Sequence, residues 1–222
     1  MTSPDWSEGQ FILIDKPQGW TSFDVVKKIR NSLKAKVGHA GTLDPLATGL
    51  LILATGKYTK KIEEVQAQDK VYEGIIELGK TTASYDLETA FETNIAADHV
   101  TDREIEEAKE QLTGTIEQVP PAHSAVKVDG QRAYKKARKK EDVQIKSRTV
   151  TIHSFDVLSW QCPELTFRVH CSKGTYIRSL AHDFGQLVGV GAYLKQLRRT
   201  HIGSFDIAKA YKLEDFLKLH TS

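Results

Sequence analysis

The sequence predicts an α+β domain, and two patterns carry that prediction. Short runs with strand character recur at 11–14, 50–54, 70–78, 150–158 and 165–171, and between them lie segments whose apolar residues repeat at helical spacing. At 222 residues the chain can bury one sizeable core, so a single domain over 1–222 is expected.

The run FILI at 11–14 ends at Asp15, Lys16 and Pro17, a strand entering a turn at Gly19. Ser22 is the expected cap of a helix whose Val25, Val26, Ile29 and Leu33 form one apolar stripe, with Lys27, Lys28, Arg30 and Lys34 mostly opposite. Those bases are either a solvated face or a phosphate-contacting one, and the pattern leaves both open.

Residues 38–57, GHAGTLDPLATGLLILATGK, organise the rest. A loop punctuated by glycine and holding His39 and Asp44 runs straight into the apolar strand 50–54, an arrangement that presents a reactive side chain from a rigid support. Pro45 pushes the Asp44 backbone out of the helical region, and Gly38, Gly41 and Gly49 are expected to take angles closed to other residues. Asp44 is the candidate chemical centre, although a lone Asp-Pro pair would read as an ordinary turn.

A short helix is expected over 58–65. The strand 70–78 should put Val71, Ile75 and Glu77 on one face and Tyr72, Gly74, Ile76 and Leu78 on the other; alone, Tyr72 reads as a core aromatic. Thr101 and Glu104 form a capping box that opens a helix through Leu112, stopped by Gly114. After Pro120 and Pro121 the pattern loosens, and bases cluster around Tyr134. This is either a surface loop or an RNA-gripping insertion that orders on binding. The strand 165–171 alternates Leu165, Phe167, Val169 and Cys171 against Thr166, Arg168 and His170. A helix over 175–187 carries Tyr176 and Arg178 in its first turn, 190–199 carries Leu194 and Leu197 beside Lys195, Arg198 and Arg199, and a last helix spans 213–219.

The net charge of +2 says little, but its distribution says more: residues 84–110 hold nine acids against two bases, and 127–148 nine bases against three acids. The second block suits a polyanion. Cys162 and Cys171 lack metal spacing and could not make a disulfide framework, so both are expected as buried free thiols in a reducing compartment. The N-terminus is polar and no apolar run approaches the ~18 residues of a membrane span, which implies a cytoplasmic protein without membrane attachment. ATGKYT is not a phosphate loop, because Leu51 stands where that motif needs glycine and no Ser or Thr follows Lys57. Gly189-Val190-Gly191 lacks the third glycine of a dinucleotide fingerprint.

Five ordered segments resemble one family. GHAGTLDPLATG is similar to the catalytic motif of the TruB-type tRNA pseudouridine synthases, and DKPQGWTS (15–22) to the N-terminal motif of that family. KVYE (70–73) resembles the strand carrying its active-site tyrosine, CSKGTYIR (171–178) its tyrosine and arginine motif, and LRRTHIG (197–203) the motif near the end of its catalytic domain.

The resemblance implies a mixed, mostly antiparallel sheet with flanking helices, a central cleft, and isomerisation of uridine to pseudouridine in the tRNA T arm, at conventional position 55. It implies Asp44 as the nucleophile and Arg178 as its counter-charge. Tyr72 matches the ring that stacks on a flipped uridine and a candidate for removing the C5 proton; Tyr176 and Leu197 match pocket residues; His39 matches a residue that fills space in the RNA loop. Lys16 matches a supporting lysine that acts through backbone carbonyls or RNA phosphate. No metal, organic cofactor or obligatory protein partner is expected, and 123–148 corresponds to a basic thumb. Many bacterial relatives continue past LRRTxxG into an RNA-binding PUA domain, whereas only residues 204–222 follow it here, so a form without that domain is expected. The alternatives are a non-catalytic RNA-binding or RNA-folding protein and a guide-RNA-dependent synthase.

Overall fold

The computed structural model describes residues 5–124, 126–128, 131–134 and 145–220. The bases Lys135, Lys136, Arg138, Lys139 and Lys140 of the expected thumb lie outside the described residues. In chain order, β1 (Phe11–Lys16), α1 (Ser22–Leu33), β2 (Val37–Ala40) and β3 (Thr48–Thr55) lead through a 3-10 turn to α2 (Ile62–Gln66). Next come β4 (Lys70–Leu78), β5 (Lys80–Thr82), β6 (Phe91–Asn94), α3 (Asp102–Gln111), β7 (Gly114–Gln118), β8 (Lys127–Val128) and β9 (Gln131–Arg132). The chain finishes with β10 (Arg148–Gln161), β11 (Glu164–Cys171), α4 (Ile177–Val188), β12 (Ala192–Ile202), β13 (Phe205–Asp206), β14 (Tyr211–Lys212) and α5 (Leu213–His220). Among the described residues no helix is long and apolar enough to cross a membrane.

Two compact units divide the chain: residues 1–72 with 197–222, and residues 73–196. In the first, β3 pairs antiparallel with β1 and β2 and parallel with β12, while β14 adds to β1 in parallel. The uninterrupted apolar run of β3 reflects burial on both faces. Leu51 and Leu53 pack with Ile12 and Ile14 of β1, Val25 and Ile29 of α1 and Phe216 of α5, whereas Leu50 and Ile52 join Val65 of α2 and Ile202 of β12.

In the second unit β10 pairs antiparallel with β7 and β11. Leu165, Phe167, Val169 and Cys171 are all fully buried, as the alternation of β11 requires. Phe155 of β10 stacks edge-on against Phe167 and tilts against Phe184 of α4. Two small β-hairpins, β5–β6 and β8–β9, also belong to this unit, as do most of β4 and the start of β12. Both units together give the expected α+β class with mixed, mostly antiparallel pairing.

Three local expectations change. The cap of α1 is Thr21 rather than Ser22: the Asp24 amide donates to the Thr21 hydroxyl, and the Thr21 amide donates to the Asp24 carboxylate, a reciprocal capping box. Gly38 has no left-handed backbone; a Cβ there would meet only the end of the Ile62 side chain, at 2.7 Å. Gly41 and Gly49 do take φ of +87° and +104°, as expected of them. Cys162 is exposed rather than buried because it lies in the turn between β10 and β11, whereas Cys171 faces the core.

Candidate active site

Asp44 sits in the loop between β2 and β3, half-buried, with its carbonyl accepting from the Ala47 amide to close a turn over Pro45. Three buried side chains grip this loop by its backbone. The Ser22 hydroxyl donates to the Leu43 carbonyl at 3.1 Å and accepts from the Leu43 amide at 2.8 Å. Lys16, fully buried at the end of β1, donates from Nζ to the carbonyls of Pro17 (3.0 Å), Trp20 (2.6 Å) and Pro45 (3.4 Å). Of the two roles left open for this lysine, the geometry is that of backbone carbonyls. Burial pulls its pKa down to about 8; the Asp44 carboxylate opposes that shift and Arg199 adds to it.

Arg199 is the third clamp, and sequence reasoning gave it no role. It is 1% exposed in β12 and donates to the carbonyls of Leu50 (2.8 Å), Gly41 (3.0 Å) and Thr42 (3.4 Å). A Cβ at Gly49 would meet the Arg199 carbonyl oxygen at 2.3 Å, so the glycine of DPLATG lets the two strands close on each other. The signal for Arg199 was its place in LRRT: in the strand it faces inward, while Arg198 turns toward Asp15 and donates to both its oxygens at 3.0 and 2.7 Å. Ser22 was visible too, but was read as a cap.

His39 in β2 is half-buried. Burial lowers its pKa, a hydrogen bond involving the Gly41 backbone opposes this, and the Arg199 charge reinforces it, so the ring is neutral at neutral pH. Leu197 is half-buried in β12, and its carbonyl accepts from the Thr48 hydroxyl at 3.4 Å. Tyr72 in β4 is 9% exposed. Lys16, His39, Asp44, Tyr72 and Leu197 all belong to the first unit.

Tyr176 and Arg178 belong to the second. Tyr176 is the residue preceding α4 rather than a member of its first turn, because its backbone is extended. Gln118 at the end of β7 fixes it from both sides: the Tyr176 amide donates to Gln118 Oε1 at 2.7 Å, and Gln118 Nε2 donates to the Tyr176 carbonyl at 3.1 Å. The Arg148 guanidinium lies 4.7 Å from the centre of the Tyr176 ring. Arg178 is 4% exposed near the helix N-terminus, a place unfavourable to a cation. Asp86 compensates at 3.6 Å, and Nη1 donates to the carbonyls of Ser84 (3.2 Å) and His123 (3.1 Å). Sequence reasoning missed Asp86 and Gln118, which come from loop and strand segments without any motif.

Known proteins match over nearly the whole chain. Residues 27–177 match the family model described as TruB family pseudouridylate synthase (N terminal domain), and residues 178–222 match the tRNA pseudouridylate synthase B C-terminal domain. A protein named tRNA pseudouridine synthase B from Flavobacterium johnsoniae is 49% identical, covering 97% of this chain and 98% of that protein. One of the same name from Chloroherpeton thalassium is 50% identical, over 95% and 90%. Among solved structures, a chain of a Cbf5-Nop10-Gar1 complex aligns at 31% identity with a TM-score of 0.74, over 96% of this chain and 54% of that one. The chain thus spans about half the length of that structural neighbour.

Proposed function

The chain belongs to the TruB family of pseudouridylate synthases, and from that premise we propose that it isomerises uridine to pseudouridine in the T arm of tRNA with Asp44 as nucleophile. The reaction breaks the bond from N1 of uracil to C1′ of ribose, turns the base, and rejoins it through C5, the C5 proton leaving to a base or solvent while N1 takes up a proton. Atoms balance without redox change or energy input, so Asp44 and its surroundings can supply the chemistry.

The observation that carries the reading is the clamped loop. Lys16, Ser22 and Arg199 fix the backbone on either side of Asp44 with buried donors, so the carboxylate is placed before substrate arrives and no ordering is needed at the moment of reaction. By its place in the GTYIR motif, Arg178 is the cationic residue of the catalytic set. The target base leaves its stack, and Tyr72 recovers roughly 1–3 kcal/mol by stacking on it and is the candidate acceptor of the C5 proton. By their motifs, Tyr176 and Leu197 each contact the flipped uridine. His39, neutral and half-buried, fills space left in the RNA loop. Residues 123–148 act as a basic thumb on the RNA backbone, and the enzyme works in the cytoplasm without guide RNA or protein partner.

The test is pseudouridine formation in an unmodified tRNA transcript, mapped to the nucleotide, with purified wild type and Asp44→Asn alone. Product confined to the T arm, formed by wild type and absent with the variant while tRNA binding persists, is expected. Tight binding by folded wild type without product would replace this reading with a binding protein or a guide-dependent synthase.

A further inference from the structure

The exposed face of α1 was left undecided between solvent and phosphate. Lys27, Lys28, Arg30 and Lys34 are all solvent-exposed, and Phe23, on the same line at i and i+4 from Lys27, leaves 60% of its surface in water. A large aromatic ring beside four bases is unusual for a merely solvated helix face and suits a nucleic acid, whose phosphates and base faces need those two chemistries together. The one acid among them, Asp24, is committed to the capping box with Thr21.

Beside α1 the surface is concave. A cleft of about 710 Å³ has an apolar floor that includes Leu213 and Leu217 of α5, and Lys28 and Lys212 stand among its walls. A smaller depression of about 360 Å³ continues it along α1, and Trp20 and Lys28 line both. The larger cleft is within the range of sites that enclose small molecules, roughly 300–1,000 Å³, and so has room for a nucleobase and its sugar. Of its two acids, Asp15 is occupied by Arg198, which leaves Glu214.

The cleft is also tied to the reactive loop. The Gly19 amide donates to the Pro45 carbonyl at 2.8 Å, and Lys16 Nζ bridges the carbonyls of Trp20 and Pro45. The turn carrying Trp20 and the turn carrying Asp44 are therefore one hydrogen-bonded body inside the first unit.

We propose that the α1 face and the adjoining cleft form a second RNA-contact surface, which takes the phosphates and one unstacked base of the strand leading away from the nucleotide at Asp44. Lys27 and Lys28 meet the phosphates, and Trp20 with the Leu213 and Leu217 floor receives the base. This rests on the reading of the chain as an RNA-modifying enzyme.

Binding of an unmodified tRNA transcript to the full chain, measured by fluorescence anisotropy across a salt series, tests it. Lys27→Gln with Lys28→Gln removes two exposed bases without touching the core. The charge-matched control is Lys60→Gln with Lys209→Gln, exposed positions away from α1. The α1 pair should weaken binding about tenfold at low salt and lower the slope of log K against log salt by roughly 1.5, since each phosphate contact contributes about 0.7–0.9. The control should change the slope by less than half as much. Trp20→Leu, which keeps apolar bulk, should cost a further several-fold in affinity at unchanged Tm. Equal slopes for wild type, the α1 pair and the control would overturn the proposal; if wild type still forms pseudouridine in that transcript, the enzymatic reading stands alone. A wild type that neither binds nor modifies the transcript would overturn both.

Discussion

The loop of Asp44 and the helix start at Arg178 are held by opposite means. In the first, buried side chains reach the backbone: Lys16, Ser22 and Arg199 donate to carbonyls of the loop and its flanks. In the second, the side chain itself is held, with Arg178 against Asp86 and the carbonyls of Ser84 and His123. Fixing the main chain on both sides of Asp44 sets the point from which its carboxylate meets substrate. A guanidinium has five donors and can spend some on its supports while keeping others. The difference teaches where to strike each region: at a distant residue for the loop, at the partner carboxylate for the helix.

The largest effect should come from Arg199→Met. It leaves the buried Leu50 carbonyl and the part-buried carbonyls of Gly41 and Thr42 without their donor. Roughly 3 kcal/mol of stability should be lost, within the range for breaking buried charged networks. If the loop shifts by even an ångström, turnover falls by about 100-fold. Denaturant unfolding and kcat measured well below the melting temperature separate the two effects, and Arg199→Lys, which keeps a donor, should recover part of the activity. Full turnover by a destabilised Arg199→Met would show that the loop holds its shape without the clamp.

Much of this contrast was legible in the chain before its folding. The motifs named Lys16, His39, Asp44, Tyr72, Tyr176, Arg178 and Leu197, and the alternation of β11 and the capping box at Thr101 gave two elements of the second unit. The supports were not legible, for physical reasons. Arg199 acts across a parallel strand pairing with β3, Asp86 and Gln118 act across gaps of 92 and 58 residues, and Glu77 is buried at 5% although it alternates with the core face of β4. Glu77 survives there because Lys195, Lys80 and Tyr193 supply hydrogen bonds that overcome the upward push of burial and take its pKa to about 2. Periodicity reports only which face a residue takes, and long-range polar partners leave no period.

Ser22→Ala should have a middling effect. It removes one hydroxyl that both donates to and accepts from Leu43, in a site 2% exposed, so the cost should be about 1–2 kcal/mol. The α1 cap is at Thr21, so helix content measured by circular dichroism should stay unchanged while kcat drops by a few-fold. A loss of helix content instead would mean that Ser22 serves the helix rather than the loop.

The smallest effect sharpens the contrast from the side of the second unit. Asp183 in α4 is half-buried and, among the described residues, has no ion pair of the kind Asp86 gives Arg178; burial pushes its pKa from 3.8 up to about 6. Between those values the folded chain keeps a proton that the unfolded chain has released, so stability falls as pH rises through that window and the full penalty stands above pH ~6. Asp183→Asn removes the charge while keeping the shape. At about pH 4 it should leave the melting temperature where it was, and at about pH 7.5 it should raise it by a few degrees, corresponding to ~1 kcal/mol once screening of a partly exposed group is discounted. An equal gain at both pH values would assign the effect to packing of the amide, and would mean that α4 carries no uncompensated charge. The pH-dependent gain would instead mark Arg178 and Asp183 as opposite cases on one helix, a buried cation held by an ion pair and a half-buried carboxyl whose pKa burial raises.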